Sequence, residues 1–244
     1  MKFWKMEGLG NDFVVFDGSM ALDQVQVKAL CDRHFGVGAD GVLRVGLDGD
    51  QVVMGYWNAD GGVAEMCGNG LRCVALYAYE QGLVSEKTFT VLTAVGRRRV
   101  EVGDQIRVEL GRATVGGSRR WDDRTFHLAT VGNPHAVAFG EDPDGVDVAG
   151  IGRALERATP GGVNVGFALV NESGIKLRVW ERGVGETLAC GSGMVAAAAV
   201  AHELKMIGPS VTMLVPGGEA FVDLEDETTW LTGPARFVFR GELA

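Results

Sequence analysis

Positive charge is scarce in this sequence: 23 Lys and Arg stand against 32 Asp and Glu, a formal net charge of −9. That balance lacks the basic footprint a nucleic-acid surface needs, so no nucleic-acid partner is expected. Long apolar runs are missing as well. The longest, around "MVAAAAVA", reaches about half of the roughly 18–20 residues of a membrane span, so no membrane partner is expected either. The start, "MKFWKMEGLGND", holds no apolar core of signal-peptide length, which predicts a cytoplasmic location. Cysteine is limited to Cys31, Cys67, Cys73 and Cys190, and no CxxC pair occurs. With no export signal and the four histidines scattered, neither a disulfide framework nor a metal site is expected. No G-x-x-x-x-G-K-[ST] loop is present to cradle phosphate, no serine elbow, and no characteristic lysine motif for a pyridoxal cofactor. "GVGADG" (36–41) matches the dinucleotide fingerprint but sits in the wrong setting. That motif needs a strand before it and a helix after it; here helix-like "VQVKALCDRHF" precedes it and strand-like "VLRV" follows. No cofactor is expected.

Glycine, by contrast, is abundant, at 37 residues, and two glycine turns repeat each other. "EMCGNGLRC" (65–73) and "LACGSGMVA" (188–196) place Cys67 and Cys190 in the same turn, 123 residues apart (190 − 67). Aligned on these cysteines, "WNADGGVAEMCGNG" lies over "WERGVGETLACGSG", with Trp57 over Trp180 and Asn58 over Glu181. "GNDFVV" (10–15) lies over "GNPHAV" (132–137), and "GVGADGV" faces "PGGVNVG" with a slight slip. Three elements in one order at nearly constant offset predict two homologous halves. We place them at 1–113, completed by a returning strand 234–244, and 114–233. The polar stretch "GRATVGGSRRWDDR" reads as the connection between them. Short strand patterns fill both halves, and an apolar helical stretch follows each cysteine turn. A helix apolar on nearly every face is a buried one. The expected class is therefore α/β of the α+β type: two pseudosymmetric halves, each a shell of mostly antiparallel strands around a central helix, with the active site in the cleft between them.

A thiol at a helix N-terminus faces unpaired backbone N–H groups and the positive end of the macrodipole, both of which favour thiolate. The adjoining glycines leave amides open to a carboxylate. One such turn suits a nucleophile or a redox thiol. Two, from homologous halves, suit inversion of a stereocentre α to a carboxylate, which needs one acid/base group on each face of the carbon.

"NADGGVAEMCGNGLRC" and "ERGVGETLACGSG", with "GLGNDFVV", "GNPHAV" and "GGVNVGF", resemble the signature segments of the diaminopimelate epimerase family. The similarity runs from about residue 6 to residue 200. It implies interconversion of LL- and meso-diaminopimelate, a small-molecule substrate, without cofactor or metal. It assigns Cys67 and Cys190 as the catalytic pair. It assigns Asn11, Asn58, Asn133, Asn164, Glu181 and Arg182 to substrate binding, with backbone amides from Gly68, Asn69, Gly191 and Ser192. It further implies that His135 and Glu181 tune the thiols. Arg182 suits a bidentate grip on a distal carboxylate; Glu186 is a candidate for orienting the second turn. Cys31 and Cys73 read as packing residues. The sequence departs from the family at Gly41, where some members carry a substrate-contacting glutamine. A proline-type racemase on the same scaffold and a thiol–disulfide module are the competing readings, and a homodimer is left open.

Overall fold

The computed structural model describes residues 1–18, 21–64 and 66–243. The chain divides into two compact units, Met1–Val108 with Gly233–Ala244, and Glu109–Thr232. The first begins with the hairpin β1 (Lys2–Gly8) and β2 (Asn11–Asp17), followed by α1 (Gln24–Cys31), β3 (Gly41–Asp48) and β4 (Gln51–Asn58). The buried helix α2 (Gly68–Glu80) then leads to β5 (Thr88–Thr93), β6 (Gly96–Val102) and β7 (Ile106–Gly111). The second unit has β8 (Thr114–Trp121), β9 (Arg124–Thr130), β10 (Pro134–Phe139), α3 (Val148–Arg157), β11 (Asn164–Asn171) and β12 (Gly174–Glu181). It continues with the short β13 (Gly185–Thr187), α4 (Gly191–Glu203), β14 (Ser210–Val215), β15 (Gly218–Leu224) and β16 (Thr229–Gly233), and β17 (Arg236–Glu242) returns to the first unit.

Strand pairing repeats between the units. In the first, β17–β1–β2 is antiparallel, β2–β3 parallel, β3–β4 antiparallel, β4–β5 parallel and β5–β6–β7 antiparallel. In the second, β8–β9–β10 is antiparallel, β10–β11 parallel, β11–β12 antiparallel, β12–β14 parallel and β14–β15–β16 antiparallel. Parallel neighbours need a crossover, and a helix supplies each one: α1 and α2 in the first unit, α3 and α4 in the second. The pseudo-repeat of the sequence is thus a repeat of topology. Each unit is a shell of mostly antiparallel strands around one helix, α2 touching β1, β2, β3, β4 and β6, and α4 touching β8 to β12 and β15.

Both central helices are buried because they have no polar face to give to solvent. In α4 every residue from Gly193 to Ala201 is buried. In α2 only Leu76 of the run Gly68–Ala78 is less than buried, although that run includes Asn69 and Arg72. Hydrophobic clusters flank them, Phe3, Val14, Phe16, Val27, Leu30 and Val42 in the first unit and Phe126, Val165, Phe167, Leu155 and Trp180 in the second. Cys31 belongs to the first cluster and Cys73 is fully buried. Burial pushes the Cys31 thiol up to about 11 and the Cys73 thiol higher still, as packing thiols should behave. Among the described residues no helix is long and apolar enough to cross a membrane.

Two expectations need correction. The stretch read as a polar connection forms β8, paired along β9 with a register shift between Val115 and Ser118. None of its residues is buried, five being exposed and three half-buried, so the buried/exposed alternation that announces a strand is absent, and Gly116 and Gly117 sit at the irregularity. Helix α1 ends at Cys31, short of the "DRHF" tail: Asp32 accepts from the backbone of His34 and Phe35 and turns the chain. "GVGADG" then runs into β3, not a helix.

Candidate active site

The first cysteine turn is built on α2. Cys67 is its N-cap, extended (φ −136°, ψ 124°), half-buried and not in a disulfide. Gly68, Asn69 and Gly70 form the first helical turn and are buried. A Cβ on Gly70 would stand 3.2 Å from Leu43, 3.4 Å from the Met54 methyl and 3.6 Å from the Cys67 Cβ, which explains a glycine there. Cys67 Sγ lies 3.5 Å from Asn11 Oδ1, which also accepts from Asn69 Nδ2 at 3.3 Å. Asn11 Nδ2 donates to Asp40 Oδ2 at 2.7 Å. Arg72, fully buried, donates to Asn69 Oδ1 (2.9 Å) and to the Pro234 carbonyl (3.1 Å). Asn58, at the end of β4, closes the preceding turn through its backbone to Gly61 and Gly62.

Gly41 has a local reason. A Cβ there would come within 2.6 Å of the Trp57 carbonyl oxygen and 2.8 Å of the Tyr56 ring. The β3–β4 ladder has closed over the position, so a side chain of any kind would force the strands apart.

The second turn is built on α4 with Cys190 as N-cap (φ −116°, ψ 110°). Gly193 is where a Cβ would crowd the thiol itself, 3.2 Å from Cys190 Cβ and 3.3 Å from its Sγ. Cys190 Sγ lies 3.6 Å from Ser192 Oγ. Ser192 Oγ meets Asn133 Nδ2 at 3.3 Å and His135 Nε2 at 3.1 Å, and His135 Nε2 also meets Asn133 Oδ1 at 3.0 Å. In this orientation of the Asn133 amide its Oδ1 faces the ring and accepts, which sets the proton of the neutral ring on Nε2. Ser192 Oγ then accepts from Asn133 and has its own O–H to give to the sulfur.

The electrostatics of this turn differ from the sequence expectation. Burial pushes the Cys190 thiol well above the ordinary thiol range, and the Glu181 carboxylate adds to it. The Ser192 hydroxyl and the Gly193 N–H pull the other way without prevailing. A place at a helix N-terminus therefore does not by itself make Cys190 a thiolate, since burial and Glu181 push the thiol up. His135 is held down to about 3, by burial first and by Arg182 second, so the ring is neutral. It reaches Cys190 through Ser192 and brings no positive charge to the sulfur.

The remaining residues of the set lie at the start of β11, at and just after the end of β12, and on β13. Glu181 Oε1 accepts from Thr187 Oγ1 at 2.5 Å. Asn164 commits its amide to the backbone, donating to the Pro134 carbonyl (2.9 Å) and accepting from Arg182 N–H (3.0 Å). The exposed Arg182 side chain donates to the Gly161 carbonyl at 3.1 Å and lies over Gly162, where a Cβ would meet its Cδ at 2.7 Å. The Glu186 carboxylate takes Arg178 Nε at 2.7 Å. Asn11, Asn133 and Asn164 thus each engage both ends of the amide with the protein itself.

The sequence reading missed Thr187, Asp40 and Arg72. The signal for Arg72 is present, a lone cation in an otherwise apolar helix. Asp40 stood inside a motif dismissed with its false cofactor role. Among the described residues no cluster of His, Cys, Asp or Glu is arranged to hold a metal.

The family model for diaminopimelate epimerase matches residues 3–116 and 127–238. The chain is 39% identical over 272 residues to the diaminopimelate epimerase of Caldanaerobacter subterraneus subsp. tengcongensis, covering 100% of this chain and 99% of that one. It is likewise 39% identical over 277 residues to that of Corynebacterium aurimucosum, with 99% of each covered. Among solved structures, a Bacillus anthracis phenazine biosynthesis protein of the PhzF family aligns with a TM-score of 0.79 at 13% identity, covering 100% of this chain and 99% of that one. A hydroxyproline epimerase from Agrobacterium vitis, solved with bound trans-4-hydroxy-L-proline, aligns at 0.77 and 14% identity over 100% and 90%. At those identities the likeness is one of fold. With both halves matched by the family model and full-length relatives at this identity, the chain belongs to the diaminopimelate epimerase family.

Proposed function

We propose that this protein interconverts LL- and meso-2,6-diaminopimelate by passing the α-proton between Cys67 and Cys190. That places it in the cytoplasmic route to lysine and peptidoglycan precursors. The observation that carries the reading is the repeated cap. On topologically equivalent helices of equal length, Gly68–Glu80 and Gly191–Glu203, the N-cap is a cysteine and the next residue a glycine.

In the reaction the thiolate of one cysteine takes the α-proton and becomes a thiol. The electron pair of the broken C–H bond stays on the α-carbon, delocalised into its carboxylate. The second thiol gives its proton to the opposite face and becomes the thiolate, and exchange with water resets the pair. Backbone N–H groups of Gly68 and Asn69, and of Gly191 and Ser192, are suited to the α-carboxylate as negative charge grows on it. Buried beside Glu181, Cys190 is the partner that carries the proton in the free protein, and Cys67 serves as base for the epimer that presents its proton to that thiol. Ser192 O–H is the donor available when Cys190 in turn becomes thiolate. Arg182 suits the distal carboxylate, with Asn164 fixing its backbone; Glu181, Asn58 and the amide oxygens of Asn11 and Asn133 suit ammonium groups.

The test is reduced protein with LL-diaminopimelate in D₂O, chelator present. We expect the meso isomer to appear with solvent deuterium at the inverted α-carbon. No exchange at that carbon, or exchange only after pyridoxal phosphate is added, would overturn the reading.

A further inference from the structure

The hydrogen bonds beneath Cys67 form a chain whose two ends cannot exchange roles. A guanidinium is donor-only and an ionised carboxylate acceptor-only. Arg72 Nη2 donates to Asn69 Oδ1, Asn69 Nδ2 to Asn11 Oδ1, and Asn11 Nδ2 to Asp40 Oδ2, at 2.9, 3.3 and 2.7 Å. An amide read alone can face either way; between these two ends each has one orientation. Asp40 is itself fixed, its other oxygen taking Arg33 Nη2 at 2.7 Å. Arg33 also forks onto Asp12 at 3.1 and 2.8 Å, and the buried Lys5 holds Asp12 at 2.7 Å and bonds the Gly38 carbonyl.

Arg72 is an unusual group to bury. Its Nη1 is buried with no hydrogen-bond partner, and arginine keeps its charge in proteins. Room is made for it at Gly8, where a Cβ would stand 3.2 Å from Nη2 and 3.2 Å from the Pro234 carbonyl oxygen that Arg72 also uses. The second turn has no counterpart: Arg72 aligns with Val195, 123 residues on (195 − 72), and Asn69 with Ser192. A cation retained in an apolar helix at one turn only points to a task at that turn.

We propose that Arg72 and Asp40 are positioning residues for Cys67, imposing one hydrogen-bond sense on the Asn69 and Asn11 amides so that Asn11 presents its carbonyl oxygen, never its N–H groups, to the sulfur. The carbonyl aims the S–H of the protonated thiol, and it withholds the donor that would trap the thiolate in a strong hydrogen bond. The guanidinium supplies a fixed positive charge on the helix behind the cysteine. Among the described residues, the charged and titratable groups meeting this chain are Arg72 and Cys73 on α2, Lys5 and Glu7 on β1, Asp12 on β2, and Arg33 and Asp40 before β3. Glu7 is engaged by Gly10 N–H (2.9 Å) and Arg236 (2.6 Å).

The two ends give opposite signs, which a loss of structure does not. Loss of Arg72 removes a positive charge and disfavours the Cys67 thiolate. Replacement of Asp40 by asparagine removes a negative charge and the acceptor-only end, leaving Asn11 held from the Asn69 side alone, and both changes favour the thiolate. The experiment follows carbamidomethylation of Cys67 by iodoacetamide against pH, read by peptide-resolved mass spectrometry on the full-length protein. We expect the midpoint to rise by about one pH unit in Arg72→Met and fall by about one in Asp40→Asn, a tenfold change in equilibrium each way. Arg72→Lys should return toward wild type, and the Cys190 midpoint should stay unmoved throughout. Equal midpoints in all variants, or shifts of one sign in both, would overturn the proposal. Should Arg72→Met not fold, the half-exposed Asp40 still carries the test. The proposal rests on Cys67 being a working thiol, but this readout needs no substrate, so it stands or falls separately from the diaminopimelate activity.

Discussion

At the scale of single residues, the neutral His135 sets a measurable stability term. In the unfolded chain a histidine binds its proton near the ordinary 6.5; in the fold this one does so only at about 3, because burial opposes the charge. Between those values the unfolded state holds the extra proton, so stability falls as pH falls, by at most about 1.4 kcal/mol per pH unit for one site. Asp12 works in a different window. Burial pushes its carboxyl up, but hydrogen bonds and charge from Arg33 and Lys5 outweigh it and bring the group to about 2, so its contribution is lost only below the ordinary 3.8. We therefore expect urea midpoints of the wild type to decline between pH 6.5 and 4, and His135→Gln, which keeps a donor toward Asn133, to flatten that decline. Parallel lines for the two proteins would show that His135 is not the group responsible.

At the scale of elements, the C-G-x-G cap is a packing solution as much as a chemical one. The last glycine is where the helix backbone passes the cysteine side chain, and the two turns differ in tolerance. At Gly193 a Cβ meets Val179 at 3.1 Å and both Cβ and Sγ of Cys190; at Gly70 its close neighbours are the movable ends of Leu43 and Met54. Gly193→Ala should cost about 1–3 kcal/mol of stability, as overpacking does, and about tenfold or more in kcat by displacing the sulfur. Gly70→Ala should be milder on both counts. Thermal melts and kcat of the two variants decide it: a Gly193→Ala enzyme at wild-type kcat would remove the steric argument. These helices were legible in the sequence because an unbroken apolar run after a cysteine turn has few other uses. β8 was not, since an exposed edge strand with two glycines carries no period-two signal. Helix α3 did carry a helical signal, since its buried residues Val148, Gly152 and Leu155 stand at i, i+4 and i+7. The asparagines could be named but not their partners: that Asn164 holds Arg182 N–H across 18 residues, or that Arg72 reaches Asn69, depends on side-chain directions that spacing does not encode. Nor could spacing reveal that burial and Glu181 push the Cys190 thiol up.

At the scale of the whole molecule, the repeated topology gives each unit one helix, one thiol and one glycine turn, yet the two turns are chemically unlike. One has a buried guanidinium and two asparagines behind its sulfur; the other has a neutral histidine, a serine hydroxyl and a carboxylate. A single-base isomerase would have no use for the second turn. The proposed two-base inversion uses both, since in that proposal each epimer offers its proton to a different thiol. It follows that Cys67→Ala and Cys190→Ala should each abolish net epimerisation of diaminopimelate, by at least the roughly 10²–10⁴-fold that a positioned acid or base contributes. Elimination from an analogue bearing a leaving group on the β-carbon needs only one base. Each variant should therefore still eliminate from one α-epimer and fail with the other, and the two variants should show opposite preferences. Both variants eliminating from the same epimer would mean that one thiol does all the proton abstraction. Either variant retaining wild-type epimerisation would mean that its thiol is not a base at all.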